Sequence, residues 1–263
     1  MTQFFTNILV VIYQALLFIH IPYALGFSII VLTILIRLIL YPFISSQLKA
    51  SKKMQALTPH LNNLKDKHKN DAKRLQQETL KLYKEHGVNP AAGCLPLIIQ
   101  LPIIWGLYSV LQKIVRLAPN QVVSEINKLV YSSSLRLKAP WDPFFLGLPI
   151  SQSPAQLIKT MGVLIILVPV LTGLGQFIQS KMMFSSVPSL PGAKSKEKKD
   201  DFATAFQSQS VYIFPIMIGF FSYTFPIGLS LYWNTFTLFG IIQQYKISGL
   251  GGLGEWRNKL NGK

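Results

Sequence analysis

Residues 27–44 read FSIIVLTILIRLILYPFI, an apolar run of membrane-spanning length with one arginine, Arg37, set inside it. Crossing roughly 30 Å of hydrocarbon takes about 20 mostly apolar residues, and residues 22–44 supply them with no other charged side chain. The stretch therefore reads as a transmembrane helix. An arginine inside such a helix costs about 2.5 to 3.5 kcal/mol on insertion scales, so its guanidinium needs water or a polar partner. Thr33 lies one helical turn earlier on the same face, and the two mark one wet stripe on an otherwise greasy helix. Alternatively, Arg37 lies about seven residues, or roughly 10 Å, from the cytoplasmic end and snorkels to the headgroups. The sequence leaves both readings open.

The rest of the chain agrees with a membrane setting. Half of its 263 residues are hydrophobic and only 14% charged, with a mean hydropathy of +0.36, outside the range of an ordinary soluble domain. A net charge of +16 raises the question of nucleic acid, but loop lysines also set topology and must be located first. Cys94 is the single cysteine, so no intramolecular disulfide is expected, and no cluster suggests a metal or other cofactor. The N-terminus has neither a basic n-region nor a cleavage site and reads as mature sequence.

Outward from the first span, residues 1–21 place Phe4, Phe5, Ile8, Ile12, Leu16 and Ile19 at near-helical spacing, with Gln3, Asn7, Gln14 and His20 between them. This pattern fits an amphipathic helix lying in the membrane interface. Residues 45–88 hold 10 Lys/Arg against 4 acids. Leu57, Leu61 and Leu64 mark one helical face, Leu75, Thr79 and Leu82 another, with Lys69–Asp71 between them and a stop at Gly87. A charged helical hairpin outside the membrane is expected, either as a solvated connection or as a docking surface for a ribosome, a targeting factor or anionic lipid.

Further spans are expected at about 91–115, 157–179, 209–225 and 228–246. The second contains Pro96, Pro102 and Gln100, which reads as interhelical packing glue or as the lining of a polar cavity. The outer loop, 118–156, carries an aromatic belt at Trp141, Phe144 and Phe145. The segment 181–208 reads as a flexible basic loop, and 247–263 as a basic tail. The hairpin, the 181–208 loop and the tail from Lys246 hold 19 Lys/Arg, against 6 on the other side, which makes the hairpin side cytoplasmic. Five spans then put the N-terminus outside and the C-terminus in the cytoplasm. Topology accounts for most of the charge and leaves a surplus for anionic lipid or ribosomal RNA; DNA is not expected as a partner.

Several stretches occur together: GFSIIVLTILIRLILYP, LYKEHGVNPAAGCLPLIIQLPI, the DPFF element at 142–145, QFIQSKM and FPIGLSLYWNTFTLFGIIQQY. As a set, spread over most of residues 20–246, they resemble the YidC/Oxa family of membrane protein insertases. The resemblance implies an all-α polytopic fold of five transmembrane helices around a hydrophilic groove, with the cytoplasmic hairpin and the N-terminal interfacial helix attached. It places the groove arginine on Arg37, a threonine on Thr33, the fifth-helix aromatic pair on Tyr232 and Trp233 with Asn234 beside them, and a third-helix glutamine on Gln176 or Gln179. Gln100 joins this client-binding set by extension. The implied partners are nascent membrane proteins and membrane lipids, with the ribosome, the signal recognition pathway and a Sec translocon as further candidates, in a bacterial cell membrane. The chain resembles a near-minimal core without a large outer domain.

Two other function classes compete with this one. A small transporter or channel would use Arg37 as an anion site, but the spans offer no second buried charge and no repeat. An enzyme would need a catalytic set, whereas His60, His68 and His86 all lie on the hairpin and the carboxylates lie outside the spans. No catalytic residue is expected.

Overall fold

A computed structural model describes residues 2–69, 71–87, 101–110, 119–183 and 202–254. Gln100, the 184–201 part of the basic loop and the end of the tail lie outside the described residues. The chain is mostly helical, and the helices group into two compact units.

The first unit comprises residues 1–40, 97–176 and 216–239. Helix α1 (Thr2–Phe18) packs on α2 (Ala24–Ile39), the arginine-bearing helix. The helix expected over 22–44 stops at Ile39, and a new one starts at Tyr41. Pro42 explains the break, because its ring cannot donate to the carbonyl four residues back and clashes with it. Also here are α6 (Leu101–Val110) and α7 (Pro119–Asn127). The third expected span is in two parts: α8 (Pro154–Met161) is set off by a Ser153–Gln156 capping box and ends at Gly162, whose φ of 74° favours glycine. A short 3₁₀ turn over Val163–Ile166 then leads into α9 (Leu167–Met183). Helices α10 (Phe202–Thr224) and α11 (Ile227–Ser248) follow as a close pair joined through Pro226.

The aromatic outer loop is more ordered than its composition suggests. Phe144–Phe145 and Leu148–Pro149 form a short antiparallel hairpin, Phe144 opposite Pro149, turned by Leu146 and Gly147, both at positive φ. Asn7 of α1, buried, donates through Nδ2 to the Leu129 carbonyl at 2.8 Å and accepts from the Tyr131 amide at 2.7 Å. Gln14 donates to the Leu135 carbonyl at 3.1 Å. Two of the polar residues spaced along α1, Asn7 and Gln14, are thus turned onto the loop. Tyr13 meets Trp141 edge to face, and Phe145 does the same with Phe27. The loop also closes the start of α11: the orphan amides of Ile227 and Gly228 donate to the carbonyls of Gln152 and Ile150. The buried core of this unit runs through Leu9, Leu25, Ile29, Leu107, Ile126, Ile150, Leu229 and Tyr232.

The second unit comprises residues 41–96, 177–215 and 240–263. It holds α3 (Tyr41–Ala56), α4 (Thr58–Lys67) and α5 (Ala72–Glu85), the last two making the expected hairpin. Asp71 caps α5 by accepting from the Arg74 amide at 3.0 Å, and Gly87, at φ 61°, follows its end. Gln243 ties the end of α11 to α3, donating to the Tyr41 carbonyl and the Ser45 hydroxyl.

Among the described residues, Val163–Met183 alone is long and apolar enough to cross a membrane, and a second span results if Ala24–Ile39 and Tyr41–Lys53 count as one broken helix. Thr2–Phe18, Leu101–Val110 and Val211–Thr224 are shorter apolar helices.

Candidate functional site

Arg37 comes from the last turn of α2 and is only 2% exposed. Its Nη2 donates to the main-chain carbonyl of Phe236 on α11 at 2.6 Å, and its guanidinium carbon lies 3.4 Å from the centre of the Phe236 ring. One residue therefore supplies both a carbonyl dipole and a π face. Tyr232, one turn earlier on α11, has its ring 5.8 Å from that of Phe236. Nε of Arg37 is buried without a hydrogen-bond partner, an exception to the rule that buried donors are paired. Among the described residues, Arg37 forms no ion pair.

Thr33 is fully buried, and its hydroxyl donates to the Ile29 carbonyl at 2.6 Å. Ser28 makes the same back-bond to Ala24. The α2 stripe is therefore polar, but its hydroxyls satisfy their own helix.

A second polar group lies among α9, α10 and α11. Thr172 donates to the Val168 carbonyl and accepts from Asn234 Nδ2 at 3.0 Å and Ser222 Oγ at 3.1 Å. A hydroxyl offers one donor and two acceptor sites, so Thr172 is saturated. Because the Ser222 proton is committed to Thr172, the 2.8 Å contact between Ser222 and Ser230 makes Ser230 the donor. Thr237 donates to Gln176 Oε1 at 3.4 Å. Sequence reasoning missed Thr172, Ser222, Ser230 and Thr237. Single hydroxyls on apolar helices carry no periodic signal, and only the pairing of helices reveals them.

The first unit thus brings Arg37 to α11 and places Gln176 and Asn234 in the α9–α11 network. Tyr232 and Trp233 are buried in the same core, 1% and 5% exposed. Gln179 falls in the second unit, half-buried, and Gln100 lies outside the described residues. Among the described residues, no group of three or more His, Cys, Asp or Glu could hold a metal ion.

The first unit thus pairs an arginine buried in an apolar helix with neutral hydroxyl and amide groups shared between helices, in a mostly helical fold. The profile of the 60Kd inner membrane protein family matches residues 17–250. The membrane protein insertase YidC of Fusobacterium nucleatum subsp. nucleatum is 35% identical over 226 residues, covering 86% of this chain and 87% of that protein. MisCA of Bacillus subtilis, also a membrane protein insertase, is 35% identical over 228 residues, covering 85% and 70%. The chloroplastic ALBINO3-like protein 1 of Arabidopsis thaliana is 31% identical, covering 95% of this chain and 48% of that one. Among solved structures, a crystal structure of active YidC insertase with its first transmembrane domain resolved matches with a TM-score of 0.53 and 28% identity. That match covers 84% of this chain and 41% of the crystallised one. The chain belongs to the 60Kd inner membrane protein family, the family of these insertases. The transporter alternative finds no support among these relatives.

Proposed function

We infer that this protein is a membrane protein insertase of the cell membrane, acting on nascent membrane proteins, and that Arg37 is the element that receives them. The observation that carries the reading is a guanidinium buried with one N–H unpartnered, on a helix otherwise apolar. In this reading five spans surround a hydrophilic groove, the N-terminus lies outside and the hairpin and C-terminus lie in the cytoplasm. An acidic or polar outer segment of the client is drawn to Arg37 while its apolar segment moves along the lipid-facing wall. A low-dielectric surround strengthens that attraction over its value in bulk water, and a single contact permits release. Thr33, Gln100, Gln176, Gln179, Tyr232, Trp233 and Asn234 line the client's route. Ribosome, signal recognition and Sec contacts, where they occur, fall to the basic cytoplasmic hairpin.

The test is insertion of a single-span client with an acidic outer tail into liposomes holding only this purified protein. Arg37→Ala should lower insertion of the acidic client several-fold and of a neutral-tailed client less, while Arg37→Lys retains most activity. Equal insertion of the acidic client by wild type and Arg37→Ala would overturn the reading.

A further inference from the structure

Phe236 sits at the receiving charge without any charge of its own, and its geometry toward Arg37 is specific. Its carbonyl takes Nη2 at 2.6 Å and its ring lies 3.4 Å from the guanidinium carbon, so both the edge and the face of the cation are held by one residue of α11. Nε is buried and unpartnered. A carboxylate binds a guanidinium best through a two-pronged fork, and the side-on fork uses Nε together with an Nη2 proton. The Phe236 carbonyl already engages Nη2. A client carboxylate arriving side-on would therefore find Nε free and would share Nη2, which has two protons, with that carbonyl, over a ring that also competes for the cation.

We propose that Phe236 is a positioning residue that latches Arg37 against α11 and thereby sets how strongly insertion depends on acidic residues in the client. The latch rests on the reading of Arg37 as the receiving group. With it closed, the charge is covered and a weakly acidic or neutral segment gains little from approaching it. A carboxylate displaces the ring contact and shares Nη2 with the carbonyl, and Arg37 returns to Phe236 once the segment has passed. The side chain matters separately from the backbone, because any residue at 236 retains the carbonyl and only an aromatic one supplies the π face.

The experiment compares Phe236→Leu with Phe236→Tyr in liposomes, using matched single-span clients with no, one and two acidic residues in the outer tail. A desolvated cation–π contact accounts for about a 3- to 30-fold difference in competition. Phe236→Leu should raise the ratio of acidic to neutral client insertion within that range, and Phe236→Tyr should keep the wild-type ratio. Modification of Arg37 by phenylglyoxal, read by mass spectrometry on the purified protein without client, should quicken in Phe236→Leu and stay slow in Phe236→Tyr. An unchanged ratio in Phe236→Leu, or an equal fall for all clients with no change in Arg37 reactivity, would reduce Phe236 to packing and overturn the latch. Arg37→Ala in the same assay separates the two ideas. If it spares acidic clients the receiving role fails; if it impairs them while Phe236→Leu leaves the ratio unchanged, the latch alone fails.

Discussion

Asn7 makes two of the three side-chain hydrogen bonds described between α1 and the outer loop, the third coming from Gln14, and Asn7→Asp perturbs them with almost no change in shape. In the wild type, Nδ2 donates at 2.8 Å to both the Gln3 and the Leu129 carbonyls, while Oδ1 accepts from the Tyr131 amide at 2.7 Å. Aspartate keeps the acceptor for Tyr131 but puts an anionic oxygen where the two carbonyls expect a donor. Two lost hydrogen bonds cost about 1 kcal/mol each, and leaving the Leu129 carbonyl unpaired beside a buried charge adds about 1 to 2 kcal/mol. The total, about 3 to 4 kcal/mol, corresponds to a loss of protection of about 150- to 700-fold where local opening governs exchange. Hydrogen exchange at residues 128–137, followed by mass spectrometry in detergent micelles, measures it. The defect should shrink at low pH. Burial and the facing carbonyls raise the folded carboxyl above its unfolded value of about 3.9, so the folded state binds the extra proton and stability falls as pH rises through that window. Wild-type exchange at neutral pH in Asn7→Asp would refute the assignment of Asn7 as the tie.

Three other outcomes follow from the packing. A Cβ on Gly26 would lie 2.1 Å from Phe145 Cδ2 and 2.6 Å from Cγ, so Gly26→Ala must push the whole ring out; a loss of about 1 to 3 kcal/mol by thermal unfolding in detergent is expected, largely relieved by adding Phe145→Leu. Ser222→Ala removes the link between Thr172 and Ser230 and should lower stability by about 0.6 to 2 kcal/mol, the range for interhelical hydrogen bonds in membranes; a variant as stable as wild type would show the network to be idle. On the hairpin, burial raises the Tyr83 phenol above its ordinary 10.0, so the folded form holds its proton longer and stability should fall as pH rises beyond about 10. Tyr83→Phe should abolish that component of the alkaline loss, read as helix content against pH.

The legible parts of the fold are those written in periodic apolar runs and local turn chemistry. The hairpin, the stop at Gly87 and the close α10–α11 pair all rest on signals within a few residues, whereas Asp71, read as part of the turn, proves to be the cap of α5. Where a run was continuous, its boundaries were harder to read. Residues 22–44 are mostly apolar with Arg37 as their one charge, so only Pro42 marks the interruption at Leu40. The 157–179 run similarly hides the stop at Gly162. The outer loop was least legible, because its order comes from partners more than 100 residues away in sequence, as with Asn7 and Tyr131. Of the site, Arg37 announces itself as the lone charge in a span. What it rests on does not, since Phe236 reads in sequence as one more apolar residue of α11.

The energetics of Arg37 bear on why one residue could both tolerate burial and act transiently. Placing the charge inside a span costs up to about 2.5 to 3.5 kcal/mol on insertion scales, the value for the helix centre, and Arg37 lies in the last turn of α2. A desolvated cation–π contact returns up to about 2 kcal/mol and a hydrogen bond from a charged group about 1.5 to 3 kcal/mol. These ranges overlap, so Phe236 alone brings the cost close to balance without neutralising the charge. An acidic partner within the fold would overshoot that balance, pairing the cation permanently and removing it from any client. The neutral α9–α11 groups are the complementary case: the hydroxyls of Thr172 and Ser222 and the Asn234 amide spend donors on the Val168 carbonyl and on Thr172 and hold helices together at modest cost, whereas Nε of the arginine is buried with its N–H unpaired.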